Sequence, residues 1–389
     1  MKITNKTNFL TTIAILIITC LLLSIETKAE TQVQDNIEAD TTWTQSGSPY
    51  IVNTSITVQP GVTLTIEAGV SIKFDSGVSL NIEGTLEADA SNGNSITFSS
   101  NAESASIGDW GGIRFDENDG GTLNNCVIEY ADIGIYIYRS SPTISNCTIH
   151  HNNKGIRIFN SGSPQITGCT IRDNVRGVEV ENLFWDPPQP VVTGNSISSN
   201  SEYNYCVMMG GFEWNTTVLD ARNNWWGSID PDVIASTIHD YTEHDCPDCE
   251  HLAVVDFTGF LDGPEGNPIT ATDTGETYLM GGTWEDTTLS GNYYVPTSYQ
   301  VQSGHTLTIE AGSMIKFADG ALLRVCEGGT LTAGNVDGGL VIFTSSESEP
   351  GIGDWGGIRF DENAGGTLNN CVIEYADIGI YIYRSSPTI

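Results

Sequence analysis

The chain has 389 residues, with 49 Asp plus Glu against 15 Lys plus Arg and a formal charge of −34. A protein this acidic lacks the basic face that DNA, RNA or anionic lipid requires, so those partners are excluded as its main business. Its 39% hydrophobic residues and 42 glycines belong to a folded protein rather than to an acidic disordered tail.

The first element predicted is a secretory signal over residues 1–29. Lys2 and Lys6 precede an apolar run from Phe9 to Ile25, and Thr27-Lys28-Ala29 places small residues at the −3 and −1 positions of a cut after Ala29. An uncleaved membrane anchor is the alternative reading of this run. Beyond it the chain carries −36, and no later segment reaches the ~18 apolar residues of a membrane span. The expected location is secreted, extracellular or cell-surface, with no membrane insertion after cleavage.

Two repeats organise the rest. Residues 107–144 recur at 352–389 with one change, Asp119 against Ala364, and Leu64-Thr-Ile-Glu-Ala-Gly69 returns at 307–312. Trp43 and Trp284 are read as opening the two copies. The expected domains are a first module at 30–262, a linker at 263–281 rich in Gly, Pro and Thr, and a second module at 282–389. Residues 31–60 should start the first module and 223–261 should cap it. Within that cap, Asp230-Pro231 predicts a short helix and Val254–Phe257 a closing strand. The second copy is expected to be truncated, because it stops at Ile389 where the first continues with Ser145-Asn146-Cys147.

The shorter period is 21–22 residues. Cys126, Cys147 and Cys169 step by 21 and 22, and Gly134-Ile135, Gly155-Ile156 and Gly177-Val178 keep the same step. Pro142, Pro164 and Pro190 follow, the last delayed by an insertion at 183–188. Apolar and polar residues alternate in short runs between Gly, Asn, Ser and Pro, which predicts short strands joined by tight corners. One such unit cannot bury its own apolar side. Stacked coils, paired in parallel at about 4.8 Å, can.

Ser-Pro-Thr-Ile-Ser-Asn-Cys-Thr-Ile (141–149), Gly-Cys-Thr-Ile (168–171), Asn-x-x-Gly-Ile (152–156), Asp-Trp-Gly-Gly-Ile (109–113) and Asn223-Asn-Trp-Trp-Gly227 resemble the generic parallel β-helix repeats of the pectate-lyase-like superfamily. The resemblance implies an all-β fold, a right-handed parallel β-helix solenoid. It matches no enzyme subfamily. The Gly-His-Gly and Arg-Ile-Lys motifs of polygalacturonases are missing, as is the Asp-Pro-His-Glu signature of alginate epimerases.

Four constellations could carry chemistry. Cys126, Cys147 and Cys169 share one inward coil position, with Cys371 in the second copy, and read as stacked core residues. Cys246-Pro-Asp-Cys249, flanked by His244 and His251, reads as a local disulfide, two free thiols or a zinc site. The acids at 116–119, 230–232 and 243–250 suit calcium by ligand type, although a solvated acidic surface explains them as well. Lys154, with Arg157 and Arg172, is the only grouping that could serve a lyase, since Lys73 and Lys316 sit in matching Ile-Lys-Phe strands.

The best candidate is a surface. Aligning coils by the short step gives one outward column of Arg114, Tyr136, Arg157 and Glu179, and a neighbouring one of Asp116, Tyr138, Phe159 and Glu181. The second copy repeats Arg359, Asp361, Tyr381 and Tyr383. Aromatics beside Arg and carboxylates on a flat parallel sheet can hold a sugar chain, its rings on the aromatic faces and its hydroxyls on the charges. Two functions follow. The first is a monomeric, non-catalytic β-helix that is structural, adhesive or bound to an extracellular polysaccharide or cell-surface component. The alternative is an extracellular polysaccharide lyase or glycoside hydrolase.

Overall fold

The computed structural model describes residues 30–117, 120–182, 187–209, 217–240, 253–270, 275 and 277–389. The expected signal segment, the insertion residues 183–186, Asp119, the acids at 243–250 and the group His244, Cys246, Cys249 and His251 lie outside them.

Alternation of apolar and polar residues sends one side chain in two to the inside of each coil. Three long parallel sheets result, of eight, eight and nine strands, to which each coil contributes one strand apiece. A second stack of five-, five- and four-stranded parallel sheets follows. In the sheet that carries the candidate surface, here called the front sheet, the strands run in chain order from Ile56–Val58 to Ile238–His239. Its middle members are Gly112–Asp116, Ile133–Tyr138, Lys154–Phe159 and Arg176–Asn182. Inside, Ile113, Ile135, Ile156 and Val178 stack in register and are fully buried.

The Asp-Trp-Gly-Gly motif has a packing cause in both copies. Trp110 lies on Phe74 with ring centroids 4.1 Å apart and donates its indole N–H to the Glu129 carbonyl at 2.8 Å. Trp355 repeats this on Phe317 and Glu374. Gly112 follows at φ +102°, where an added Cβ would fall on the Ile133 carbonyl oxygen. Only glycine tolerates both that dihedral and that approach.

Cys126, Cys147 and Cys169 are buried free thiols at the inner edge of a second sheet. Contact with the Cys147 sulfur, and burial, push the Cys126 and Cys169 thiols well above their ordinary value. Cys371 is less buried. At the corners, inward asparagines form ladders. Asn152 Nδ2 donates to Asn174 Oδ1 at 3.0 Å, Asn174 to Asn200 at 3.0 Å and Asn200 to Asn204 at 3.0 Å. Each also donates to carbonyls of its own and the preceding coil, so the buried amides leave few polar groups unmatched.

The cap contains the expected helix, Pro231–Ala235, with Asp230 as its N-cap accepting from Asp232 N at 3.0 Å, and the closing strand Val254–Asp256. Two expectations change. The stretch expected to be a linker already contains strands of the second stack, Thr277–Tyr278 and Gly281–Gly282. It also folds back on the first stack, with Ile269 N donating to the Phe260 carbonyl at 2.8 Å. Trp43 and Trp284 are not equivalent either. By strand register Trp43 pairs with Ile66 as Leu289 pairs with Ile309, and both are buried. Trp284 sits outside that position and is 43% exposed.

Candidate functional site

The front sheet brings the two expected columns together. Register pairs Arg114 with Tyr136, Tyr136 with Arg157 and Arg157 with Glu179, while Asp116, Tyr138, Phe159 and Glu181 pair alongside. The residues differ in accessibility. Tyr136, Tyr138 and Phe159 are half-buried because they cover one another: Tyr138 and Phe159 lie 5.6 Å apart and Tyr136 and Phe159 6.4 Å. The Arg114 guanidinium stands 4.1 Å from the Tyr136 ring centroid, and Arg157 stands 5.4 Å from Phe159. Contacts of this length are attractive through the ring quadrupole and pack each guanidinium against a ring of the strip. Burial raises the Tyr136 hydroxyl above its ordinary value.

Glu179 departs from the expectation that it faces solvent. Its side chain is 1% exposed, although it points to the outer face. Lys154 Nζ reaches its Oε1 at 2.6 Å, and Arg176 Nη1 reaches Oε2 at 2.7 Å. Arg157 Nε lies 3.0 Å from Oε1 with its N–H turned away, while its Nη2 donates to Glu181. Arg176 is in turn forked by Glu202, at 2.9 Å to each oxygen. Hydrogen bonding with Glu202 is the main cause that raises Arg176 and lowers Glu202. Long cationic chains folding over a short carboxylate therefore bury it. Arg176 and Glu202 went unnoticed in the sequence, although Arg176 follows Lys154 by the same 22-residue step and pairs with it in register.

The lyase grouping is partly dissolved. Lys154 and Arg157 meet at Glu179, but Arg172 belongs to a different sheet and pairs with Asp173. There it lies near a cluster of its own, in which His150 Nε2 is 3.4 Å from Glu129. Burial is the main cause that lowers His150. Lys73 lies in Ser71–Phe74 and Lys316 in Met314–Phe317, both away from the front sheet.

In the second stack the copied residues meet a different neighbour. Arg324 lies beside Arg359 in register, where the first stack has Asn81 beside Arg114. Arg324 Nε reaches Asp361 at 2.6 Å and Arg359 Nε at 2.8 Å, which buries Asp361. Its counterpart Asp116 is only 3.8 Å from Arg114 and stays half-buried. Among the described acids, Asp230 is spent on the helix cap and Asp232 accepts from the Tyr294 hydroxyl at 2.8 Å. Among the described residues, no group of three or more His, Cys, Asp or Glu is arranged to hold a metal ion.

The coils, their parallel register and the inward alternation define a parallel β-helix, and two family matches give it as right-handed and pectate-lyase-like. Residues 76–224 match the family described as right handed beta helix region, and residues 281–383 match the pectate-lyase like beta helix domain. Comparison with curated proteins and with solved structures gives no match. Among the described residues no helix is long and apolar enough to cross a membrane.

Proposed function

We propose that this protein is a non-catalytic β-helix, exported from the cell, that binds an uncharged polysaccharide along the front sheet of its first stack. The observation that carries this reading is the half-buried strip of Tyr136, Tyr138 and Phe159, with Arg114 and Arg157 packed against it. The three rings, 5.6 and 6.4 Å apart and tilted, offer a continuous apolar strip along the stack axis, and the flanking ion pairs offer hydroxyl partners at its edges.

The charge balance speaks for a neutral chain. Among the described residues Lys154, Arg157 and Arg176 are matched by Glu179, Glu181 and Glu202, which leaves that network no surplus cation for a uronate. It also speaks against a lyase. The Lys154 amine is engaged by a buried carboxylate at 2.6 Å, whereas a general base needs a free lone pair within reach of the substrate proton.

The test incubates the whole protein with neutral and acidic polysaccharides, with calcium and with chelator, and scores retention and chain shortening in the same samples. Retention on a neutral polymer without shortening, weakened at least about tenfold by Tyr136→Ala with Tyr138→Ala, is the expected result; two stacking faces at ~1 kcal/mol each give that factor. Shortening of any polymer would return the enzyme reading with Lys154 as its first mutant. Absence of retention would end the binding reading.

A further inference from the structure

The exposed Trp284 has no core role, and its surroundings are arranged. Its indole N–H donates to Asp256 Oδ2 at 2.6 Å. Asp256 is itself buried and accepts from the Thr258 amide at 3.0 Å and hydroxyl at 2.7 Å. Arg222 lies 4.9 Å from the Trp284 ring centroid and is forked by Asp220 at 2.9 Å on both nitrogens. Gly281 makes this possible, since any side chain there would collide with Asp256 and push the second stack away. The indole is therefore fixed by the first stack, with Arg222 against the ring, yet the residue stays 43% exposed.

It lines a cleft of about 430 Å³ between the stacks, within the range of small-ligand sites. The wall also carries Gln189, Thr217, Gln302 and His305, which are hydrogen-bonding groups without a carboxylate. Among the described residues Asp220 is the one acid on the wall, and Arg222 pairs with it. A clamp that only joined the stacks would bury its tryptophan. This one presents it to a polar cavity.

We propose that the junction cleft is a second binding site, distinct from the front sheet, for a neutral saccharide of one to three units. A sugar ring would stack on Trp284, and its hydroxyls would meet Gln189, Gln302 and His305. An apolar face rimmed by hydroxyls fits a tryptophan in a polar, uncharged cleft, and the −34 net charge disfavours nucleotides and uronates.

The test is isothermal titration of the whole protein with cellotriose, xylotriose, mannotriose and laminaritriose, on wild type, Trp284→Ala, Trp284→Phe, Gln189→Ala and His305→Ala. Thermal unfolding of each variant is followed in parallel. At least one trisaccharide should bind, Trp284→Ala should weaken it by more than tenfold and Trp284→Phe by less. Gln189→Ala and His305→Ala, which leave the Trp284–Asp256 bond intact, should weaken it several-fold with unfolding unchanged. Tyr136→Ala with Tyr138→Ala should leave this site's affinity untouched, so the failure of one site does not imply failure of the other. No binding of any trisaccharide, or binding indifferent to Trp284→Ala, would overturn the proposal. So would binding confined to a proline-rich peptide, the other ligand that stacks on exposed tryptophan.

Discussion

Replacing Glu179 with glutamine removes the one anion on which Lys154, Arg157 and Arg176 converge. The three cations are 22%, 25% and 22% exposed, so each keeps only a narrow path to water. Removing one partner of a buried ion pair costs about 3–5 kcal/mol, because the surviving charge remains desolvated. Partial exposure and the remaining partners Glu181 and Glu202 let Arg157 and Arg176 relax, which puts Glu179→Gln near the lower limit, about 3 kcal/mol. Each kcal/mol lowers Tm by roughly 2–4 °C in a unit of this size, so the first stack should melt roughly 6–12 °C lower. Glu181→Gln is the comparison. Its partner Arg157 keeps Glu179 at 3.0 Å, and with the pair 25% and 17% exposed the loss should stay near the upper end for solvent-reached pairs, about 1 kcal/mol. Calorimetry of both variants, with urea unfolding followed by far-ultraviolet circular dichroism, reads the difference. A loss under about 1 kcal/mol for Glu179→Gln, or equal losses for the two variants, would refute the buried-anchor argument.

Three other outcomes follow from the geometry. Gly112→Ala, with its strained φ and blocked Cβ, should cost about 3 kcal/mol or more, whereas Gly108→Ala, at φ +88° with open space around it, should cost only about 1 kcal/mol; thermal unfolding separates them. In native protein at pH 8, Cys126, Cys147 and Cys169 should resist iodoacetamide and react fully in guanidinium, as peptide mass mapping would show; labelling of the native thiols would contradict their burial. Hydrogen bonds from the Ser100 hydroxyl and the Ser106 amide hold Asp109 below its ordinary 3.8. A depressed carboxylate stabilises the fold above its unfolded value, so wild type should gain stability over Asp109→Asn at neutral pH and lose that gain as pH falls below 3.8. A pH-independent difference would show that the hydrogen bonds carry no charge dependence.

Much of the candidate site was legible from spacing. The 21- and 22-residue steps align Arg114, Tyr136, Arg157 and Glu179 as the observed register does, since a coil of constant length brings equal positions side by side. Arg176 obeys the same step from Lys154 and could have been found by extending the alignment to the start of each strand. Trp284 could not. Its match with Trp43 rested on residue type, and the strands on which the two would coincide are offset by five residues.

Period and alternation thus set the coil, the inward cysteines and aliphatics and the outward columns, because they depend only on where each Cα–Cβ bond points along a regular strand, while the cap and proline of Asp230-Pro231 set the short helix. Tertiary structure alone decided that Glu179 is buried, that Arg172 stands apart from Lys154, that Arg324 consumes Asp361 and that Trp284 bonds to Asp256. Each of these depends on how far a long side chain folds over its neighbours, or on residues of separate coils meeting at a junction. Cβ direction carries neither, and packing supplies both.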